Sequence, residues 1–194
     1  MKNTKGFTLI ELLVVIAIVA VLSVVVILTL NPAELLKQAR DSNRMADLTG
    51  LKTAIALYLV DSTGTVSIGA SADTCYVSIS ASPGTRCTNG SDYWFGAGYT
   101  TIVATTSRAV NSAGWLPVNF SAITSGSPFG QLPIDPINNS TYYYAYAATS
   151  TYHSFKLVAN MESSRYQNGG GGDVESTDGG TQAAAFEVGS MLSL

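Results

Sequence analysis

The sequence predicts an α+β fold: a long N-terminal helix with a membrane half and an amphipathic half, and a small antiparallel β-sheet head packed on its C-terminal half. Three observations predict it. An apolar run occupies Leu12 to Leu30. Apolar residues then recur at spacings of three and four to about Val60. The Ser-, Thr- and Gly-rich remainder alternates apolar and polar residues in short stretches. The boundaries that follow are 7–30 for the membrane half, 31–62 for the amphipathic helix and 63–194 for the head.

Leu12 to Leu30 is 19 residues. As a helix it rises about 28 Å, against a hydrocarbon core of about 30 Å. Its polar residues are Ser23 and Thr29, whose hydroxyls can bond back to helical carbonyls. The apolar region of a secretory signal peptide would be shorter and would end at a small-residue cleavage site. Here the run continues into a patterned helix. Lys2 and Lys5 precede it and favour a cytoplasmic start, although Lys37, Arg40 and Arg44 follow it. The large Cys-containing, Ser/Thr-rich remainder favours export of the C-terminal part.

Asn31-Pro32-Ala33-Glu34 reads as a helix restart. Asn31 would cap, Pro32 fits the first helical position, and Glu34 stands where a capping box puts its acid. One continuous helix kinked at Pro32 is the alternative. Leu35, Leu36 and Ala39 begin an apolar stripe that Met45, Leu48, Leu51, Ile55, Tyr58 and Leu59 continue. Lys37, Gln38, Arg40, Asp41, Asn43, Arg44 and Asp47 read as a solvated face, with Lys37 and Asp41 one turn apart. Asp61-Ser62-Thr63-Gly64 stops the helix. Residues 7 to 60 would make a rod on the order of 80 Å long.

In the head, Thr74 to Ser80 alternates, with Cys75, Val77 and Ile79 on one side. Thr101 to Thr105, Tyr142 to Ala147, Tyr152 to Ala159 and Ala183 to Val188 are further strand candidates. Phe155, Leu157 and Ala159 form the expected core face. Ala148 to Thr151 would close a hairpin, Ser82-Pro83-Gly84 and Thr88-Asn89-Gly90 are turns, and 168–181 is a Gly-rich loop. Cys75 and Cys87 lie 12 positions apart. In an oxidising compartment a disulfide between them would stabilise the head by about 3 kcal/mol on the chain-entropy model.

Composition excludes several function classes. Charged residues make up 12% of the chain, the net charge is −3 and no broad basic patch is visible, which argues against nucleic-acid binding. There is no P-loop, dinucleotide fingerprint or metal-ligand cluster. His153, the single histidine, falls in an alternating strand with no nucleophile implied nearby. Tyr93, Trp94, Phe95, Trp115 and Tyr142 to Tyr144 would make either a sugar-binding face or, more simply, core.

Glu11 stands apart. An ionised carboxylate inside hydrocarbon costs about 2.5 to 3.5 kcal/mol on insertion scales, so an intramembrane acid calls for a partner or a function. Lys5-Gly6-Phe7-Thr8-Leu9-Ile10-Glu11 resembles the processing signature of the prepilin family, which includes type IV pilins and type II secretion pseudopilins. The resemblance is tight over about 30 residues. It implies a cytoplasmic leader peptide 1–6, cleavage between Gly6 and Phe7 by a membrane prepilin peptidase, N-methylation of Phe7, and an assembly role for Glu11. The new α-amine can carry a positive charge near neutrality. On the same chain or a neighbour, it would answer Glu11, and the resemblance favours the neighbour.

Leu132-Pro133-Ile134-Asp135-Pro136, followed by a Tyr-rich strand, is similar to a segment of major pseudopilins, whose C-terminal loop holds calcium. Asp173, Glu175 and Asp178 offer suitable oxygen ligands here, although a flexible, unliganded loop suits the glycines equally. Pro32 lies a few residues later than the proline common in pilin helices. The Cys pair common near pilin C-termini is absent.

The resemblance implies a non-enzymatic structural subunit of a pilus-like or pseudopilus filament. Its expected partners are the peptidase, further copies of itself, minor pilins or pseudopilins, the assembly platform and the membrane. It would sit in the bacterial inner membrane as a single-pass protein, with the C-terminal head outside, and in an extracellular filament after assembly. The competing reading is a singly anchored surface-binding domain that never polymerises.

Overall fold

Two helices separated by a single residue form the stem: α1, Leu9–Leu30, and α2, Pro32–Asp61. The structure is a computed structural model that describes residues 6–62, 66–69, 73–81, 86–87, 94–95, 99–149 and 153–194. Met1 to Lys5, Thr63, Gly64, Tyr93 and the two expected turns at 82–84 and 88–90 lie outside the described residues.

The stretch from Leu9 to Ile27 has a mean hydropathy of 3.2, and none of it is buried by the other described residues. Ser23 Oγ donates to Val19 O at 2.7 Å and Thr29 Oγ1 to Val25 O at 3.0 Å, so both hydroxyls are satisfied inside the helix. At Asn31 the backbone is left-handed, with φ 40° and ψ 72°. Its carbonyl accepts from Glu34 N at 3.0 Å and starts α2, with Pro32 in the first turn. The expected side-chain cap does not form. An N-cap needs extended backbone to aim its side chain at the next amides, and a left-handed residue aims elsewhere. Glu34 turns outward instead and accepts from Ser164 Oγ at 2.8 Å.

The head is one five-stranded sheet: β1 Thr74–Val77, β2 Thr101–Ala104, β3 Tyr144–Thr149, β4 Ser154–Ala159 and β5 Phe186–Gly189. The spatial order is β2-β1-β3-β4-β5. Three junctions are antiparallel, as expected, but β2 runs parallel to β1, with Thr74 opposite Thr101. A parallel neighbour requires a long crossover, which the 23 residues from Ser78 to Thr100 provide. β3 starts at Tyr144 rather than Tyr142, because Asn139 Oδ1 holds the amides of Thr141 and Tyr142 in a turn, at 2.8 and 2.9 Å. His153 stands before β4 rather than inside it, exposed and left-handed at φ 48°.

Alternation gives the sheet two buried faces. Tyr144, Tyr146, Phe155, Leu157 and Ala159 pack on Leu48, Leu51, Ile55 and Tyr58 of α2. Each fully buried aliphatic side chain there contributes about 1.5 to 3 kcal/mol. On the opposite face, Val77, Ala145, Ala147 and Val158 lie under Trp94, Phe95, Tyr99 and the bonded Cys75–Cys87 pair, whose Cα atoms are 5.9 Å apart. Trp94, Phe95, Trp115, Tyr143 and Tyr144 are thus core. On the same face Lys156 and Glu187, on adjacent strands, form a fully buried ion pair.

The solvated-face expectation fails at Asp41 and Arg44, both completely buried. Arg44 donates through Nε and Nη2 to the two oxygens of Asp135 at 2.7 and 3.0 Å, and through Nη1 to Asp41 at 2.7 Å. Arg40 grips Glu162 in the same two-pronged way at 2.7 and 2.6 Å. The Asp41 carboxylate also accepts from the Glu162 and Ser163 amides at 2.9 and 2.8 Å. Burial works against the Arg44 charge, but the bonds to Asp135 and Asp41 outweigh it and hold the guanidinium charged. The hydrogen bonds from Arg40 keep Glu162 below the usual carboxylate range. Leu35 and Leu36, read as the start of the core stripe, stay exposed.

Arg44→Ala strands two buried carboxylates. Denaturant unfolding should show a loss of about 3 to 5 kcal/mol. Alanine at exposed Lys52 should stay within about 0.5 kcal/mol of the parent.

Candidate functional site: the amino-terminal segment and the Gly-rich loop

The chain reaches α1 through a short extended lead. Thr8 is the N-cap, with φ −83° and ψ 151°, and it forms a complete capping box with Glu11. Glu11 N donates to Thr8 Oγ1 at 3.3 Å. In return Glu11 Oε2 accepts from Thr8 N at 2.8 Å and from Thr8 Oγ1 at 2.7 Å. Thr-x-x-Glu at a helix start produces this geometry locally. The acid also lies in the first turn, where the helix dipole favours negative charge.

Three chemical consequences follow. Glu11 spends one carboxylate oxygen on its own helix, and Oε1 has no hydrogen-bond partner among the described residues. The Gly6–Phe7 peptide bond precedes the cap, so a cut there would leave every Thr8–Glu11 bond standing. Gly6 and Phe7 are exposed, and a Cβ added at Gly6 would meet nothing within 4 Å. Nothing among the described residues therefore demands glycine at position 6; a demand for it would come from whatever grips the peptide. Asn31 and Pro32 mark the other end of the segment, where helical bonding is interrupted.

The three loop acids do not converge. Asp173 accepts from the amides of Gly169, Glu175 and Ser176 and from Ser176 Oγ at 2.6 to 3.0 Å. Glu175 turns inward, its two oxygens accepting from Met161 N and Asn168 N at 2.9 and 3.1 Å. Asp178 accepts from Gly180 N at 2.7 Å and from Glu187 N. Among the described residues no three such side chains cluster to hold a metal. The expected calcium set does not fit, because each carboxylate is already committed to the backbone that shapes the loop. Burial raises Glu175 and Asp178, whereas the Ser176 side chain and the loop amides hold Asp173 down to about 2.

Residues 1–27 match the family model described as the prokaryotic N-terminal methylation motif. The chain is 35% identical over 127 residues to the type IV wide pilus major component PilA4 of Thermus thermophilus, a match covering 58% of this chain and 95% of that protein. No solved structure matches.

The Asp173 carboxyl has a depressed folded-state pKa. Its contribution to loop stability should be fully present above about pH 4 and lost as pH falls through about 2. A carboxyl-detected NMR titration should find that low midpoint, and calcium should not shift it. A midpoint near the ordinary value would refute the bonding described for the loop.

Proposed function

The chain belongs to the type IV pilin family, and from that premise we propose that it is made as a membrane precursor and polymerised as a structural filament subunit. The observation that carries the proposal is the capped Glu11, one carboxylate oxygen unspent among the described residues, at the head of an apolar helix that no other described residue buries. Prepilin peptidase cuts between Gly6 and Phe7 on the cytoplasmic side, releasing residues 1–6, and Phe7 is N-methylated. The single-pass subunit waits in the bacterial inner membrane with its head outside.

The new α-amine of one subunit then meets Glu11 of a neighbour. Removing a carboxylate from water without a partner is costly, so the pairing holds the two helices in one stagger as they leave the bilayer. Copies of this chain, with minor pilins or pseudopilins, join on the assembly platform into a filament with helices inside and heads outside. The left-handed residue Asn31, followed by Pro32, supplies the point at which the stem bends or lengthens.

Gly6→Leu should accumulate as uncut precursor in membranes, seen as an intact leader by mass spectrometry. Glu11→Ala should be cut and methylated normally yet yield few sheared filaments; wild-type filament yield would refute the role given to Glu11. A filament map with unbroken helix from Asn31 to Ala33 would exclude the bending role.

A further inference from the structure

Where the chain enters β3 and leaves β4, a cleft of about 480 Å³ is bordered by Arg86, Trp94, Tyr142, Asn160, Asn168 and Gln182. We propose that it binds a saccharide. The volume lies within the usual range for small-molecule sites and far exceeds the roughly 30 Å³ that one water occupies.

Of the charged groups bordering the cleft, Glu175 is fully engaged and Arg86 is held in place without an acidic partner among the described residues. Both oxygens of Glu175 accept backbone amides. Arg86 donates to Thr141 O at 2.8 Å, and its guanidinium lies 5.3 Å from the centre of the Trp94 ring. Asn160 Nδ2 donates to the same carbonyl at 3.0 Å, so one atom fastens both walls.

Two polar atoms of almost fully buried side chains are left without partners among the described residues. Trp94, 3% exposed, offers Nε1–H; Asn160, 8% exposed, offers Oδ1. One only donates and the other only accepts. Sugar hydroxyls answer both kinds of atom, because a hydroxyl oxygen both accepts and donates. The Tyr142 phenol and the carboxamides of Asn168 and Gln182 around the rim extend the same neutral, two-way pattern. Among the described residues no carboxylate of the cleft is left to hold a cation. No strand edge among the described residues borders it, so they offer an extended peptide no ladder to join.

Cellotriose and chitotriose, added to the full chain in detergent micelles, test the proposal by saturation-transfer NMR. Transfer to ring protons of at least one trisaccharide is expected. Its affinity should fall about tenfold in the Asn168→Ala/Gln182→Ala double variant and in Tyr142→Phe. These residues lie at the rim, and matching circular dichroism melts establish that the variants stay folded. Absence of transfer from both sugars overturns the proposal. So does binding that the variants leave unchanged, or tight binding of an uncharged peptide that the same variants weaken.

Discussion

Removing Arg44 from water sets the terms for the lower half of the head. A buried guanidinium persists only when its donors are answered, and Asp41 and Asp135 do so from the helix and from the loop before β3. Because Asp41 also holds the amides of Glu162 and Ser163, one side chain fixes the height of the chain leaving β4. Arg40 and Glu162 close the cluster at its rim. Apolar packing on α2 is broad and non-directional. The ion cluster adds direction, so it decides where along the helix the sheet sits.

The stem divides its work at Asn31. Above it, α2 is stabilised by one face, from Asp41 to Tyr58, that the head covers. Below it, α1 exposes apolar side chains all round and needs a hydrocarbon or helical environment. The capping box at Thr8 and Glu11 matters in that setting, since the first amides of a membrane helix have no water to turn to. The acid that looks misplaced in hydrocarbon thus has a local reason to be there before any neighbour arrives.

Much of this was legible in the sequence. The apolar run, the helix stop near Asp61 and the five strand segments follow from periodicity, and Thr8-x-x-Glu11 is a local signal. The buried cluster had a signal too: 41, 44, 48, 51, 55 and 58 follow the three-four spacing of the core face without a break. Asp41 and Arg44 were assigned to solvent by residue type rather than by position. Asp135 and Glu162, 91 and 122 residues from their partners, lay beyond any local pattern. The direction of β2 depends on a crossover that composition does not encode. The loop acids looked like ligands because backbone amides, which consume them, are invisible in a residue list.

Among the described residues the sheet order leaves four-residue strands at both margins, β2 on one side and β5 on the other. Open margins recruit foreign strands in proportion to the length of unpaired backbone they present. Two such short margins limit the template offered to an identical neighbour. With a net charge of only −3, mutual repulsion does little to keep copies apart. Abbreviated margins therefore give crowded copies of such a molecule little backbone through which to zip together.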